Sequence, residues 1–262
     1  MTSILVNKVN FSMMETEHDT SDEASMRIGV NARPVLSIYL DRKRGYAASV
    51  VKGQRRGHEC VWMDGSPPTA GIVPLVQEVL IADSVFLHEI GVIIMPKGPT
   101  SFTTQRIMST MAKSIKFVAS HCSVFAPSQF HVIAFAGRNF IPEGQRFLVV
   151  LNSYNCGFFG AVFENRECKP KMVNPASYYD KKTGFSFIDR HADIPFVTDF
   201  SKKSLDNVLF SGLNKDNQVQ LPDVNLAEMQ IDLYESSVRD EGFDYASFQP
   251  YCLDTPMYRK TA

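Results

Sequence analysis

Apolar residues begin to recur with regular spacing at Val35, and the chain before that point has no such pattern. Residues 1–34 form a polar, Ser/Thr-rich run holding Glu15, Glu17, Asp19, Asp22 and Glu23, which predicts a disordered extension. The apolar and β-branched run Val35-Leu36-Ser37-Ile38-Tyr39 then predicts a strand. A charged turn at 41–45 and a second strand at 46–52 complete a hairpin, and Glu59-Cys60-Val61-Trp62 predicts a third strand. Ile72, Leu75, Val76, Val79 and Leu80 recur at helical spacing and predict a helix over 70–83, with Pro74 placed in its first turn. The near-continuous apolar run at 90–95 reads as a buried central strand.

A loop, Pro96-Lys97-Gly98-Pro99-Thr100-Ser101, leads into a predicted helix at 103–118 whose apolar stripe is Ile107, Met111, Ile115 and Val118. A strand at 122–125 and a helix at 127–136 follow. Helices alternating with buried strands argue for an α/β layer. The turn cluster Pro142-Glu143-Gly144-Gln145 marks a seam. Beyond it, 146–151 and 158–164 predict paired strands, with a third at 169–173. The periodicity of 174–202 is weak and predicts loops and short strands. Leu226, Met229 and Leu233 predict a late helix. The resulting domain scheme is an extension at 1–34, an N-terminal lobe at 35–141 and a C-terminal lobe at 142–262.

Charge and composition narrow the function. The 262 residues carry a formal net charge of −1, so no global basic field draws in nucleic acid or an anionic membrane. No stretch reaches the roughly 18 apolar residues of a membrane span, and the opening residues do not read as a secretory signal. A cytoplasmic protein is expected. The five cysteines are never spaced C-x-x-C, which argues against a disulfide framework or a zinc knuckle. No two of the six histidines stand three or four residues apart, and no nucleophile motif of the Gly-x-Ser-x-Gly or Walker A kind is present.

Gly98 to Met108 reads GPTSFTTQRIM. This is a strand-loop-helix junction in which Gly98 and Pro99 turn the chain and Thr100 or Ser101 caps the helix. Such a junction either caps its own helix or holds an anion at the helix N-terminus. Its helix also bears the small residues Ser109, Thr110, Ala112 and Ser114. Small side chains permit a close helix–helix approach, within the domain or across an interface. A basic and aromatic run in the second half, with Lys169, Lys171, Tyr178, Tyr179, Phe185 and Phe187, suits RNA stacking. Asp180, Asp189, Asp193 and Asp199 dilute it.

The segment GPTSFTTQRIM resembles the GPGSFTGLRIG signature of the TsaB (YeaZ) family, with Thr100 and Thr104 in place of two glycines. Further similarity runs in order over about 35–258. It includes the opening strand at Val35, the helix at Ile72–Leu80, Ala112-Lys113, the hairpin around Leu151-Asn152-Ser153, and Gln249-Pro250-Tyr251 near the end. The resemblance implies a two-lobed actin-like, Hsp70-like (ASKHA) α/β fold with mixed sheets flanked by helices. It implies a non-catalytic subunit that pairs with a TsaD-like catalytic subunit, alongside a TsaE-like ATPase, to place threonylcarbamoyl on N6 of adenosine 37 in ANN-decoding tRNAs.

On that resemblance the motif loop is Gly98, Pro99, Ser101, Phe102, Thr103 and Arg106. The partner interface is formed by Leu75, Val76, Val79, Met108, Met111 and Ala112. There is no catalytic residue and no metal. The chain has no cofactor of its own, with ATP or ADP accommodated at a subunit interface. It forms a homodimer when alone, and its tRNA contact is indirect or weak. Tyr39 and Asn152 stand where carboxylates of the fold handle metal and nucleotide, and neither replaces a carboxylate as a hard-cation ligand. The alternative readings are a small-molecule phosphotransferase of the same fold and an interaction protein that has left the tRNA pathway.

Overall fold

The computed structural model describes residues 33–40, 44–61, 68–153, 157–198, 215–219, 221 and 224–238. Most of the expected 1–34 extension, the 41–43 turn, and the 199–214 and 239–262 segments lie outside the described residues. The first sheet opens with three antiparallel strands, β1 (Val35–Leu40), β2 (Arg44–Val51) and β3 (Gln54–Val61). Lys52 and Gly53, both at positive φ (50° and 79°), make a two-residue turn that pairs Val51 with Gln54. Such a turn matches the twist of a hairpin. β3 therefore starts five residues before the predicted 59–62. Its first half, Gln54-Arg55-Arg56, is polar and gave the hydrophobic pattern nothing to register.

The short strands β4 (Val92–Ile94) and β5 (Ser123–Phe125) join parallel on the other side of β1, giving the order β3-β2-β1-β4-β5. All six residues of β1 are buried, so both faces of the sheet are covered. Helix α1 (Pro68–Ala82) packs on β2 and β3, and the late helix, here α5 (Leu226–Val238), packs on β1, β2 and β4. Both helices meet β2, whose consecutive residues Tyr46, Ala47, Ala48, Ser49 and Val50, pointing to alternate faces, are all buried. They therefore lie on opposite faces. Helix α2 (Phe102–Val118) connects β4 to β5. The crossovers β3–α1–β4 and β4–α2–β5 move in one direction between parallel strands, and right-handed connection puts α1 and α2 on the same face.

Pro74 is the seventh residue of α1 rather than part of its first turn. It is exposed, on the side of the helix where water can take the hydrogen bond that its missing N–H leaves unmade. Arg55 donates to Asp232 (2.6 Å) and Glu235 (3.2 Å), and Gln230 Nε2 donates to the Ile38 carbonyl (3.3 Å). These bonds lock α5 onto the sheet.

The second sheet holds β6 (Arg146–Ser153), β7 (Gly157–Glu164), β8 (Lys171–Tyr179), β9 (Phe196–Thr198) and β10 (Gln218–Val219). Its order, β8-β7-β6-β9-β10, repeats the first sheet strand for strand: three antiparallel strands, then two parallel ones beside the first. Helix α3 (Gln129–Gly137) packs on β6 and β9, and α4 (Lys181–Asp189) on β7 and β8. Leu148, Val150, Phe158, Val162, Phe187, Ile188 and Phe196 form its core. Two mixed sheets of one topology, each flanked by helices, constitute the actin-like α/β fold.

α4 falls where loops and short strands were expected. Asp180 caps it, accepting from the N–H groups of Lys182 (3.0 Å) and Thr183 (2.8 Å). These bonds to Thr183 and Lys182 hold the Asp180 carboxyl below its ordinary range. The basic and aromatic run is partly closed on itself. Tyr179 stacks on Phe158 (5.4 Å) and Phe187 (4.1 Å), and Phe187 is buried, while Tyr178 and Phe185 are half-buried.

The compact units are not the consecutive halves 35–141 and 142–262. Described residues up to Met95, from Thr110 to Phe125 and from Asn225 onward form one unit. Pro96–Ser109 and the residues from Ala126 to Val224 form the other. The physical reason is α5, whose buried Leu226, Ala227, Ile231 and Leu233 complete the first sheet's cover from the far end of the chain.

Candidate functional site

The motif loop leaves β4 and is stapled to the segment that opens α3. The Lys97 N–H donates to the Pro127 carbonyl (2.9 Å), and the Gln129 N–H donates to the Gly98 carbonyl (2.7 Å). Gly98 sits at φ 103°, backbone that side chains with a Cβ rarely adopt, and the Gly98–Pro99 peptide is cis. Ser101 caps α2: its Oγ accepts from the Thr104 N–H (3.1 Å) and lies 2.8 Å from Thr104 Oγ1. Its carbonyl accepts from the Gln105 N–H (3.0 Å). Thr104 is buried, so its side chain is built into the cap. Of the two uses open to this junction, the observed geometry is the capped helix. Phe102 and Thr103 are exposed, with the Arg106 guanidinium 5.4 Å from the Phe102 ring centre.

Beside this loop stands a pair that the sequence analysis did not single out. Ser128 caps α3, accepting from the His131 N–H (3.3 Å), and its Oγ lies 2.6 Å from His131 Nδ1. The ring meets Phe163 edge-on at 5.4 Å. Burial, with the charges of Lys97 and Lys169 added, pushes the His131 pKa down to about 4, so the imidazole is neutral at physiological pH. The spacing Ser-x-x-His directly after Pro127 was the available signal. Both side chains are engaged in the cap itself, which makes the pair a structural bracket for the loop.

Helices α1 and α2 overturn the predicted interface residues. Leu75, Val76, Val79, Met108 and Ala112 are buried within this chain, and Met111 is half-buried. The buried stripe of α2 is Thr104, Met108, Ala112 and Ile115, continued by Ala119 just past the helix end; of the expected stripe Ile115 is buried, Ile107 and Met111 are half-buried and Val118 is exposed. Small Ala112 and Ala119 face inward and admit close packing. Apolar side chains on the outer side are Val73 (51% exposed) and Ile81 (77%) on α1, with Phe117 (89%) and Val118 (52%) on α2. Pro74 and Ala82 are exposed beside the first two.

Neither a protein-family model nor a curated protein matches the sequence. Solved structures do match. An uncharacterized protein with similarity to peptidase YeaZ from Pseudomonas aeruginosa superposes with a TM-score of 0.66 at 15% identity, covering 85% of this chain and 100% of that one. This chain has the YeaZ fold. YeaZ from Pseudomonas aeruginosa itself gives a TM-score of 0.58 at 14% identity, over 84% of this chain and 100% of that one.

On the YeaZ-like framework the motif loop occupies the β4–α2 junction, and Tyr39 is fully buried in β1. Among the described residues, no group of three His, Cys, Asp or Glu side chains gathers to hold a metal. None of their helices is long and apolar enough to cross a membrane.

Proposed function

We propose that this chain is a TsaB-like, non-catalytic subunit that pairs with a TsaD-like catalytic subunit and supports threonylcarbamoylation of adenosine 37 in ANN-decoding tRNAs, with a TsaE-like ATPase as a further partner. The observation that carries the pairing is the outer face of α1 and α2. Large apolar side chains left in water there, Phe117 foremost, mark a surface that another protein covers. The YeaZ fold supports the choice of partner. Tyr39 and Asn152, in place of the carboxylates that handle metal and nucleotide in enzymes of this fold, favour a subunit without chemistry of its own. In this reading any ATP or ADP sits at a subunit interface, and tRNA contact is indirect.

Co-expression with the TsaD-like protein of the source organism tests the proposal. It predicts a complex that survives purification and restores N6-threonylcarbamoyladenosine in ANN-decoding tRNA. Absence of pairing at micromolar concentration sinks it. Pairing without modification leaves an interaction protein outside the tRNA pathway.

A further inference from the structure

Helix α5 lies over a row of small residues that crosses the first sheet. Two cross-strand pairs fix which face this is. Val50 stands opposite Arg55, which bonds Asp232 and Glu235 of α5. Ser49 stands opposite Arg56, and both reach Asp83, the residue just past α1. Side chains alternate between faces along a strand. Ala48, two residues before Val50, therefore faces α5, as do its cross-strand partners Ser37 on β1 and Gly57 on β3. Gly57 bears this out: a Cβ built there would stand 1.8 Å from Glu228 Oε1 on α5.

Two buried oxygens in this seat, Ser37 Oγ and Gln230 Oε1, have no hydrogen-bond partner, and both side chains are fully buried. Gln230 Nε2 donates to the Ile38 carbonyl (3.3 Å). That bond fixes the orientation of the amide, because only its NH2 end can donate to a carbonyl. Ser37 directly precedes Ile38 on β1, so the hydroxyl and the amide oxygen meet at one stretch of strand. Unpaired polar atoms are costly in a low-dielectric interior.

We infer that one water molecule is bound between β1 and α5, accepting from the Ser37 hydroxyl and donating to Gln230 Oε1. A water about 2.8 Å from each oxygen bridges a gap of up to about 5.6 Å. Ser37 and Ala48 raise little bulk from the sheet at this point, and buried waters settle where polar partners and such space coincide. The water gives the contact between α5 and the sheet a polar centre. The inference concerns the seat of α5 and stands independently of the pairing reading.

A high-resolution crystal structure of the full chain tests it directly. A density peak within about 3.2 Å of both Ser37 Oγ and Gln230 Oε1 is expected. Ordered side chains without that peak, or with Ser37 bonded straight to Gln230, overturn the inference. Urea unfolding of Ser37→Ala puts the same question through the sign of the change. Removing one end of a water bridge leaves Gln230 Oε1 poorly served, and the unfolding constant is expected to rise about fivefold. Removing a hydroxyl that has no partner would leave stability unchanged or raise it, and that result also overturns the inference. Gln230→Met breaks the bond to Ile38 as well, but does so with or without the Ser37 hydroxyl, so a double-mutant cycle isolates the bridge. Gln230→Met is expected to raise the unfolding constant about fivefold less in the Ser37→Ala background than in the wild type. Additive effects of the two substitutions would count against the water.

Discussion

His131 is the residue whose chemistry departs furthest from its ordinary behaviour. Its pKa falls to about 4 in the folded chain because burial disfavours the charged ring and Lys97 and Lys169 oppose it. The unfolded chain, with an imidazole near its usual value of about 6.5, binds a proton in the window between the two values that the native state refuses. Stability is therefore complete above about pH 6.5 and falls as pH drops toward 4, by up to about 3 kcal/mol. Urea unfolding of wild type and His131→Phe across this window measures the difference. The variant keeps a ring against Phe163 and should lose this share of the pH dependence.

The cap of α2 gives a second expectation at this scale. Ser101→Ala removes the acceptor of the Thr104 N–H and should cost about 1 kcal/mol. Gly98→Ala places a Cβ on backbone at φ 103° and should cost about 1–2 kcal/mol. The loop's turn and its cap were readable from GPTSFT, because Gly, Pro and Ser declare local geometry. The Ser128–His131 bracket was not singled out, because its meaning depends on the loop it packs beside.

At the scale of elements, the sequence pattern located helices and central strands where apolar residues crowd, as in β1, β6 and α1. It failed where the decisive groups are polar. Half of β3 is held by a turn and by its register with β2. α4 contains Gly184, which weakens the helical signal, and is started by Asp180 and Thr183. The rotation of α2 was misread because Ile107, Met111 and Val118 were assumed to point inward with Ile115, whereas the inward row is Thr104, Met108, Ala112 and Ile115.

That rotation reverses the expected effect of one substitution. Ala112→Glu puts a carboxylate into the packed side of α2 and should destabilise the fold by several kcal/mol in thermal or urea unfolding. Phe117→Ser, on the opposite side, should change unfolding by no more than about 0.5 kcal/mol. Had Ala112 formed a partner interface, its replacement would leave folding intact.

Across the whole molecule the organising fact is duplication: the same strand order occurs twice, and each sheet needs helices on both faces. A linear reading placed the boundary at residue 142, because the hairpin pattern restarts there. It could not show that the cover of the first sheet is completed by α5, since no local pattern records which sheet a late helix serves. A chain ending before residue 225 should thus lose the first unit's cooperative unfolding, while amides of β6 and β7 keep measurable protection in hydrogen exchange.

The position of α5 also bears on synthesis. A ribosome releases the strands of the first sheet early, yet the helix that seals them starts to emerge some 165 residues after β3 has passed, roughly ten seconds or more at ordinary elongation rates. The second sheet's central strands leave in the meantime. The amino-terminal sheet is accordingly expected to mature last, and through that interval a chaperone has an open apolar surface to hold.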